Sequence, residues 1–235
     1  MKQYRKSILF VSGNNPKMLQ DAPIFGSDGV VFDLEQAVAV EEKDSARLLV
    51  KEALRFLDYS GVDVIIRINA LDSGYGEQDI ELIARERPFA VMIPKASPEQ
   101  ITKIESKLAK IELEEGFPAE SIKLIPVIET AYALQYVHKI ITSSPRITGV
   151  FFNAEGLTAD FGMQRTKKGE EIIYARSRIV VACRAEKLNA IDTPFLDSND
   201  YEGLEKDCYR ARNMGFTGKA AIDGRQIKII HDIFD

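Results

Sequence analysis

The 235-residue sequence has no tryptophan, two histidines and two cysteines, and it lacks any long apolar run. His138 and His231 both lie in helix-like stretches, which disfavours a histidine-based catalytic mechanism. Cys183 and Cys208 do not have the spacing of a metal site, and we interpret them as free thiols of a reducing cytoplasm. The apolar runs are too short for a membrane helix or a signal peptide, so we expect a cytoplasmic protein without a membrane segment.

Charge and composition limit the partners and the fold. The net charge is −5 and no basic stretch stands out, which argues against nucleic-acid binding. Hydrophobic residues make up 45% of the chain, which is enough for a large core. The length suits one α/β domain, so we predict a single domain over residues 1–235.

Short apolar segments alternate with helix-like patterns along the whole chain, and this alternation favours parallel strands with crossover helices. Eight strand–helix pairs close most naturally as a TIM (β/α)8 barrel. A doubly wound open sheet is the alternative, although residues 13–16 after the first strand match its glycine-rich fingerprint poorly. The predicted strands are Ser7–Ser12, Gly29–Asp33, Asp63–Ile68, Ala90–Ile93, Lys123–Ile128, Ile147–Phe152, Ala190–Asp192 and Gly218–Ile222.

Polar side chains follow most of these strands. In a parallel barrel the carboxyl ends of the strands meet at one face, where the chemistry takes place. We therefore expect one ring of polar groups at that face. The ring consists of Asp33, Glu35, Arg67, Asn69, Lys95, Glu129, Asn153, Glu155 and Asp192.

Arg67 and Glu129 are the strongest functional candidates in this ring. Arg67 lies in an apolar strand, where a guanidinium is costly to bury without an anionic partner. Glu129 follows the strand 123–128, in which five of the six residues are apolar. Other positions have structural alternatives, namely a turn cap at Asp33, an ion pair at Glu35, a solvated lysine at Lys95 and a turn at Asp192.

Together the ring suits a small substrate that carries a carboxylate. An arginine fork holds a carboxylate through two hydrogen bonds. One or two acids can hold Mg²⁺, which takes oxygen ligands and keeps several waters. Such an ion would polarise an oxygen next to the bond that changes, which indicates aldol- or Claisen-type carbon–carbon chemistry.

Motifs in a fixed order over nearly the whole chain resemble the citrate lyase β subunits of the HpcH/HpaI aldolase/citrate lyase family. The matching segments are 10–16, 32–38, 42–47, 67–73, 93–95, 128–130, 154–158, 174–178, 190–193 and 215–219.

The resemblance implies a TIM barrel that assembles as a homotrimer or larger oligomer. Members cleave a 3-hydroxyacyl thioester carried on coenzyme A or acyl carrier protein. A citryl thioester yields oxaloacetate and an acetyl thioester, while citramalyl and malyl thioesters are related substrates. The resemblance also implies Mg²⁺ as a cofactor and makes citrate lyase α and γ subunits candidate partners.

The resemblance also assigns roles to residues of the ring. Arg67 would bind the substrate and stabilise the developing enolate, and Glu129 would be a metal ligand. The backbone around residues 154–155 would line the carboxylate site. The candidates are thus Arg67 and Glu35 for catalysis, Arg67, Lys95, Ala154 and Glu155 for substrate binding, and Glu129 for the metal.

Three departures from the family pattern affect this expectation. Gly156 replaces the aspartate that is the second metal ligand, and Gln36 replaces another acid. Asp160 could reach the metal if a helix began at Leu157. The sequence also ends at Asp235, where the family continues with a C-terminal extension. We therefore expect a weakened Mg²⁺ site, and the alternative hypothesis is a catalytically impaired paralogue that serves as an assembly or binding subunit.

Overall fold

A computed structural model describes residues 5–234 of the chain. Its eight parallel strands form a closed barrel in which each strand pairs with the next along the chain and the last pairs with the first. The predicted TIM barrel is therefore confirmed, and the open doubly wound sheet is wrong. The strands are β1 Ser7–Ser12, β2 Gly29–Asp33, β3 Asp63–Arg67, β4 Ala90–Ile93, β5 Lys123–Ile128, β6 Gly149–Phe152, β7 Asn189–Asp192 and β8 Gly218–Ala221.

Helices surround the barrel. Short 3-10 turns span Ala22–Phe25, Val40–Glu42, Leu71–Ser73, Ala84–Glu86 and Glu170–Ile172. Across residues 5–234, no helix is both long and apolar enough to cross a membrane. The α-helices are α1 Pro16–Asp21, α2 Lys43–Phe56, α3 Gly76–Ile83, α4 Pro98–Glu115, α5 Ala131–Gln135, α6 Val137–Ile141, α7 Ala154–Asp160, α8 Ile173–Ala185, α9 Tyr201–Met214 and α10 Arg225–Phe234.

Alternation along each strand divides the apolar side chains into two layers. On β2, Val31 belongs to a compact cluster inside the barrel, while Val30 and Phe32 join the larger layer under the helices. Both faces of the strands are therefore buried, which explains why the strands are nearly continuous apolar runs. The inner cluster contains Ile8, Val31, Ile65, Ala90, Met92, Ile125, Val127, Phe151, Ile191 and Ala220.

The sequence pattern of residues 131–143 predicts one helix, but the structure divides it into α5 and α6 at Tyr136. Arg178 of α8 donates hydrogen bonds to the carbonyl oxygens of Leu134 and Gln135, at 2.7 and 2.5 Å. A continuous helix would use these same carbonyls as acceptors for its next turn. A side chain from a distant helix therefore ends α5, and local sequence does not reveal it.

Helix α7 was absent from the sequence prediction. Asn153 caps it, because the side-chain oxygen accepts the N–H of Gly156 at 3.2 Å. The helix begins at Ala154 rather than at Leu157, and Asp160 accepts the N–H of Ala131 at 2.7 Å. The condition set for Asp160 to reach a metal, a helix that begins at Leu157, is therefore not met, and its carboxylate accepts a hydrogen bond at the start of α5.

A buried ion pair joins α4 to the segment before β6. Glu112 is 2% exposed and pairs with Arg146 through two hydrogen bonds of 2.8 and 2.7 Å. Its carboxylate also accepts the N–H groups of Glu120 and Ile122. Burial alone would raise the pKa of Glu112, but the hydrogen bonds from Arg146 and these N–H groups lower it from 4.5 to about 2.

Replacing Glu112 with glutamine should lower the free energy of unfolding by about 3–5 kcal/mol at pH 7, because Arg146 would be left buried without its anion. Since the folded-state pKa lies below the ordinary value, the wild-type contribution is present above pH 4.5 and is lost as the pH falls toward 2. Urea unfolding of both proteins at pH 7 and near pH 3 measures this. Glu202→Gln, at an 87% exposed side chain, is the control. Equal stability of the two variants at pH 7 would contradict the expectation.

Candidate functional site

Arg67 lies at the end of β3, buried at the carboxyl face of the barrel. Its Nε and Nη2 groups donate to the two carboxylate oxygens of Asp33 on β2, at 2.7 and 2.5 Å. The ring of Phe10 on β1 lies 5.3 Å from the guanidinium carbon, within cation–π range. Arg67 thus has the anionic partner that its burial requires, and only Nη1 turns toward Glu35 and Gln36, at 3.6 and 3.4 Å.

Asp33 caps the turn after β2, as the structural alternative in the sequence analysis expected, and it also forms the ion pair with Arg67. Its two oxygens accept the N–H groups of Glu35 and Ala37, at 2.8 and 2.9 Å. These bonds shape the loop after β2 so that the side chain of Glu35 returns toward Arg67. A single buried carboxylate thus positions both catalytic candidates.

Glu35 has an unusual electrostatic environment. Burial has the largest effect and raises the pKa of its carboxyl group. Arg67 and, less strongly, Lys95 lower this pKa, the charges of Glu129 and Asp33 raise it, and the net result is a pKa of about 7. Its Oε2 atom is buried and has no hydrogen-bond partner within the described chain. A carboxyl group with a pKa near neutrality suits acid–base work, and such values concentrate at functional sites.

Glu129 is held firmly at the end of β5. One oxygen accepts the backbone N–H of Lys95 and the other accepts the side-chain amide of Asn153, both at 2.7 Å. Lys95 adopts a left-handed backbone conformation, with φ of 46°, which is uncommon for a lysine. Its side chain is exposed, so the observed contact of Lys95 with the site is through its backbone.

Gly156 lies directly against Glu129. A Cβ atom at this position would lie 2.9 Å from both Cβ and Oε2 of Glu129 and 3.0 Å from Nδ2 of Asn153. The missing family aspartate has therefore not left an open space, because the carboxylate of Glu129 and the amide of Asn153 fill it.

Ala154 and Glu155 begin α7 at the rim of the site. The N–H of Ala154 donates to Oγ1 of Thr193, and that hydroxyl donates to Oε2 of Glu155, at 3.2 and 3.1 Å. The other oxygen of Glu155 lies 3.3 Å from Nε of Arg165. Glu155 lines the central cavity, whereas the N–H of Ala154 is already used by the loop after β7.

The structure corrects the prediction of a plain turn at Asp192. Asp192 is fully buried and accepts hydrogen bonds from Arg176 and Lys219, which are also fully buried, and both cations bind Asp207 of α9. Lys219 also donates to the carbonyl oxygen of Thr193 at 2.7 Å. This four-residue network holds the end of β7, from which Thr193 contacts α7.

A cavity of about 270 Å³ opens between these groups. Its polar side is formed by Asp33, Gln36, Arg67, Asn153 and Glu155, and its other walls are apolar. Asn69 does not belong to it, because its backbone and side-chain N–H groups donate to buried Asp79. Of the predicted ring, Asp33, Arg67, Asn153 and Glu155 line the cavity. Asn69 and Asp192 instead bind buried partners that hold the strand ends in place.

Sequence reasoning missed several residues of this region. Asn153 stood in the ring but was given no role, although it orients Glu129. Thr193 carried no signal, because its partners Ala154, Glu155 and Lys219 are distant in the chain. Arg165 lies in an irregular segment, where no strand or helix pattern marked it. Lys219 did carry a signal in the sequence, because a lysine within an apolar strand requires buried anions just as Arg67 does.

Comparisons with known proteins agree with this geometry. Residues 6–224 match the family model described as HpcH/HpaI aldolase/citrate lyase. The citrate lyase subunit beta of Leuconostoc mesenteroides subsp. cremoris is 36% identical over 234 residues, covering 99% of this chain and 78% of that protein. The mitochondrial citramalyl-CoA lyase of Rattus norvegicus is 34% identical, covering 98% of this chain and 71% of that protein.

A solved structure shows the same architecture. The citrate lyase beta subunit from M. tuberculosis, complexed with oxaloacetate and magnesium, superposes with a TM-score of 0.82 at 26% identity, covering 98% of this chain and 97% of that one. The resemblance seen in the sequence motifs is thus confirmed. The chain belongs to the HpcH/HpaI aldolase/citrate lyase family.

Proposed function

We propose that this chain is a carbon–carbon lyase that cleaves a 3-hydroxyacyl thioester into an oxo acid and an acetyl thioester. The observation that carries the proposal is the ion pair of Arg67 and Glu35 at the carboxyl face of the barrel. Nη1 of Arg67 lies 3.6 Å from Oε2 of Glu35. Relatives named citrate lyase subunit beta and citramalyl-CoA lyase support the same reaction class.

The reaction requires one base and one stabilised anion. Glu35 would accept the proton of the 3-hydroxyl group while the bond between C2 and C3 breaks. The electron pair of that bond passes to the thioester fragment as an enolate, and Arg67 would stabilise its charge. Glu35 then returns the proton to C2, which completes the acetyl thioester and leaves the oxo acid.

The residues around Glu129 fit a divalent cation that few protein ligands hold. The described residues contain no group of three or more His, Cys, Asp or Glu side chains arranged to hold a metal. Acids nevertheless crowd the site. Burial is the main cause of the raised pKa of Glu35, and the charges of Glu129 and Asp33 add a repulsion that a cation would relieve. Mg²⁺ accepts carboxylate and water oxygens, so Glu129 would hold it with water and substrate completing the shell. When bound, the ion would polarise an oxygen beside the breaking bond.

Thioester cleavage tests the proposal directly. Citryl-, citramalyl- and malyl-coenzyme A are offered with Mg²⁺ or with EDTA, and release of the oxo acid is followed. We expect cleavage that EDTA suppresses, and Glu35→Gln should lower kcat by about 10²–10⁴-fold. Glu41→Gln, at an exposed neighbouring acid, is the control. If the folded protein cleaves none of the three, the lyase function is refuted.

The second candidate function is an impaired paralogue that serves as an assembly or binding subunit. It is favoured by Gly156, because the family's second metal ligand is replaced by a residue without a side-chain oxygen. A silent but folded protein in the cleavage assay, with retained oligomeric assembly, would support it.

Gly156→Asp is not expected to restore a metal site by itself. The new side chain would press on Glu129 and Asn153, and such overpacking costs about 1–3 kcal/mol. Gly156→Ala should lose similar stability, because the clash begins at Cβ. Urea unfolding and Mg²⁺ titration calorimetry measure both effects. A single Gly156→Asp variant that keeps its stability and gains Mg²⁺ affinity contradicts this interpretation.

Assembly and location complete the proposal. We infer a cytoplasmic homotrimer or larger oligomer, which acts on thioesters of coenzyme A or acyl carrier protein and has citrate lyase α and γ subunits as candidate partners. A relative from Mycobacterium tuberculosis, crystallised with magnesium, acetoacetate and coenzyme A, supports the carrier. Light scattering of the purified protein tests the assembly, and a monomer at micromolar concentration would contradict it.

A further inference from the structure

Lys43 is a buried lysine that the proposed chemistry does not use. It is the first residue of α2, is only 8% exposed and does not line the cavity. Within residues 5–234 it forms no ion pair, and its ammonium group donates to carbonyl oxygens only. Burial of an ammonium group without an anion is unfavourable, and so is a cation in the first turn of a helix. A lysine at this position thus destabilises α2, which indicates a role outside the helix.

The ammonium group of Lys43 holds the loop that carries Glu35. Its Nζ atom donates to the carbonyl oxygens of Leu34 and Glu35, at 3.0 and 2.8 Å. In an extended strand consecutive carbonyl groups point in opposite directions, so a single donor group reaches both only where the chain turns. The two hydrogen bonds therefore stabilise the turned conformation of the loop directly after β2.

The backbone of Glu35 is held at both of its polar groups. Its N–H group donates to Asp33 and its carbonyl oxygen accepts from Lys43, both at 2.8 Å. Asp33 also accepts the N–H group of Ala37, at 2.9 Å. Two side chains of opposite charge thus fix the main chain from which the side chain of Glu35 starts. The carboxyl group itself is held less closely, because its Oε2 atom lies 3.6 Å from Nη1 of Arg67.

We propose that Lys43 is a positioning residue, which fixes the loop after β2 so that the carboxyl group of Glu35 meets the 3-hydroxyl group of the substrate. The inference rests on the proposed lyase function, in which Glu35 accepts and returns the proton. Proton transfer requires the acid–base group within hydrogen-bonding reach, so loss of the two hydrogen bonds would lower turnover. Removal of Lys43 leaves no buried carboxylate without a partner, so the barrel should still fold.

Steady-state kinetics of Lys43→Met measures the effect on turnover. We expect kcat to fall by about 10–10²-fold, because a small displacement of a catalytic group has a cost of this order. KM should change less, because only Gln36 and Ala37 of the cavity lining belong to the loop after β2. Lys51→Met is the matched control, since Lys51 lies on the same helix and pairs only with Glu52, at 3.9 Å. A Lys43→Met protein with the wild-type kcat would overturn the inference and leave the lyase function intact.

A double-mutant cycle separates positioning of Glu35 from a general structural role. If Lys43 acts through Glu35, the Glu35→Gln/Lys43→Met protein should have a kcat within about twofold of that of Glu35→Gln, because the base is already missing. If the two losses multiply instead, Lys43 supports the barrel in general and the inference is rejected.

Amide hydrogen exchange measures the positioning without catalysis. In Lys43→Met we expect exchange over residues 34–38 to be faster by about tenfold, with unchanged exchange in α9. Unaltered exchange over 34–38, or faster exchange throughout the barrel, rejects the inference. Faster exchange confined to the loop, in a protein whose wild type cleaves no thioester, supports the positioning and refutes only the lyase function. Hydrogen bonds hold four N–H groups of this loop, those of Leu34, Glu35, Ala37 and Val38.

Lys43→Gln provides the same comparison if Lys43→Met does not fold. Its amide is carried on a shorter side chain, which cannot reach both carbonyl oxygens from α2. We expect kcat to fall and exchange over residues 34–38 to rise, as in Lys43→Met. Wild-type values of both in Lys43→Gln would overturn the inference.

Discussion

Replacing Arg67 with lysine is expected to lower kcat by about 10²–10³-fold, because a lysine cannot keep the forked contact with Asp33 and still reach the substrate. The two hydrogen bonds to Asp33 orient the guanidinium so that Nη1 alone turns toward Glu35. The ammonium group of a lysine is a point charge on a flexible side chain, so hydrogen bonds to Asp33 would not fix its direction toward Glu35. Steady-state kinetics with the best thioester measures the loss.

Arg67→Ala should also lower the free energy of unfolding by about 3–5 kcal/mol, because Asp33 would remain buried without its cation. The double variant Arg67→Met/Asp33→Asn separates the two roles. It removes both charges, so it should recover much of the stability while turnover stays low. Wild-type turnover in a folded Arg67→Lys protein, or in the double variant, would exclude Arg67 from catalysis.

Lys219→Met should lower the free energy of unfolding by about 3–5 kcal/mol. The ammonium group is fully buried and donates to Asp192, Asp207 and the carbonyl oxygen of Thr193. Without it, two buried carboxylates share one guanidinium. Urea unfolding measures the loss, and Lys206→Met on α9, with a side chain 79% exposed, is the control.

The same change should reach the active site through Thr193, whose hydroxyl joins Ala154 and Glu155. If the Lys219→Met protein folds, its KM should rise more than its kcat falls, because Glu155 borders the cavity while the proposed catalytic roles belong to Glu35 and Arg67. If Lys219→Met is as stable as the Lys206→Met control, the network does not hold β7.

The strand ends illustrate how far local sequence predicts this site. Arg67 and Glu129 were identified because a charge at an apolar strand must find a partner. The structure places Arg67 in the wall of the cavity and Glu129 against Asn153, which also lines it. The same logic applies to Lys219, but the short apolar run of β8 concealed it. Asp192 was assigned to a turn because its partners lie on other elements, 16 and 27 residues away.

Sequence alone determined the alternation of apolar strands and helices, because burial on both faces of a strand requires a continuous apolar run. It also determined the order in which strand ends deliver polar groups to one face. Only the tertiary structure decided which of those groups meet. Partners such as Glu129 and Gly156 face each other because neighbouring strands bring distant residues together, and local patterning does not encode that contact.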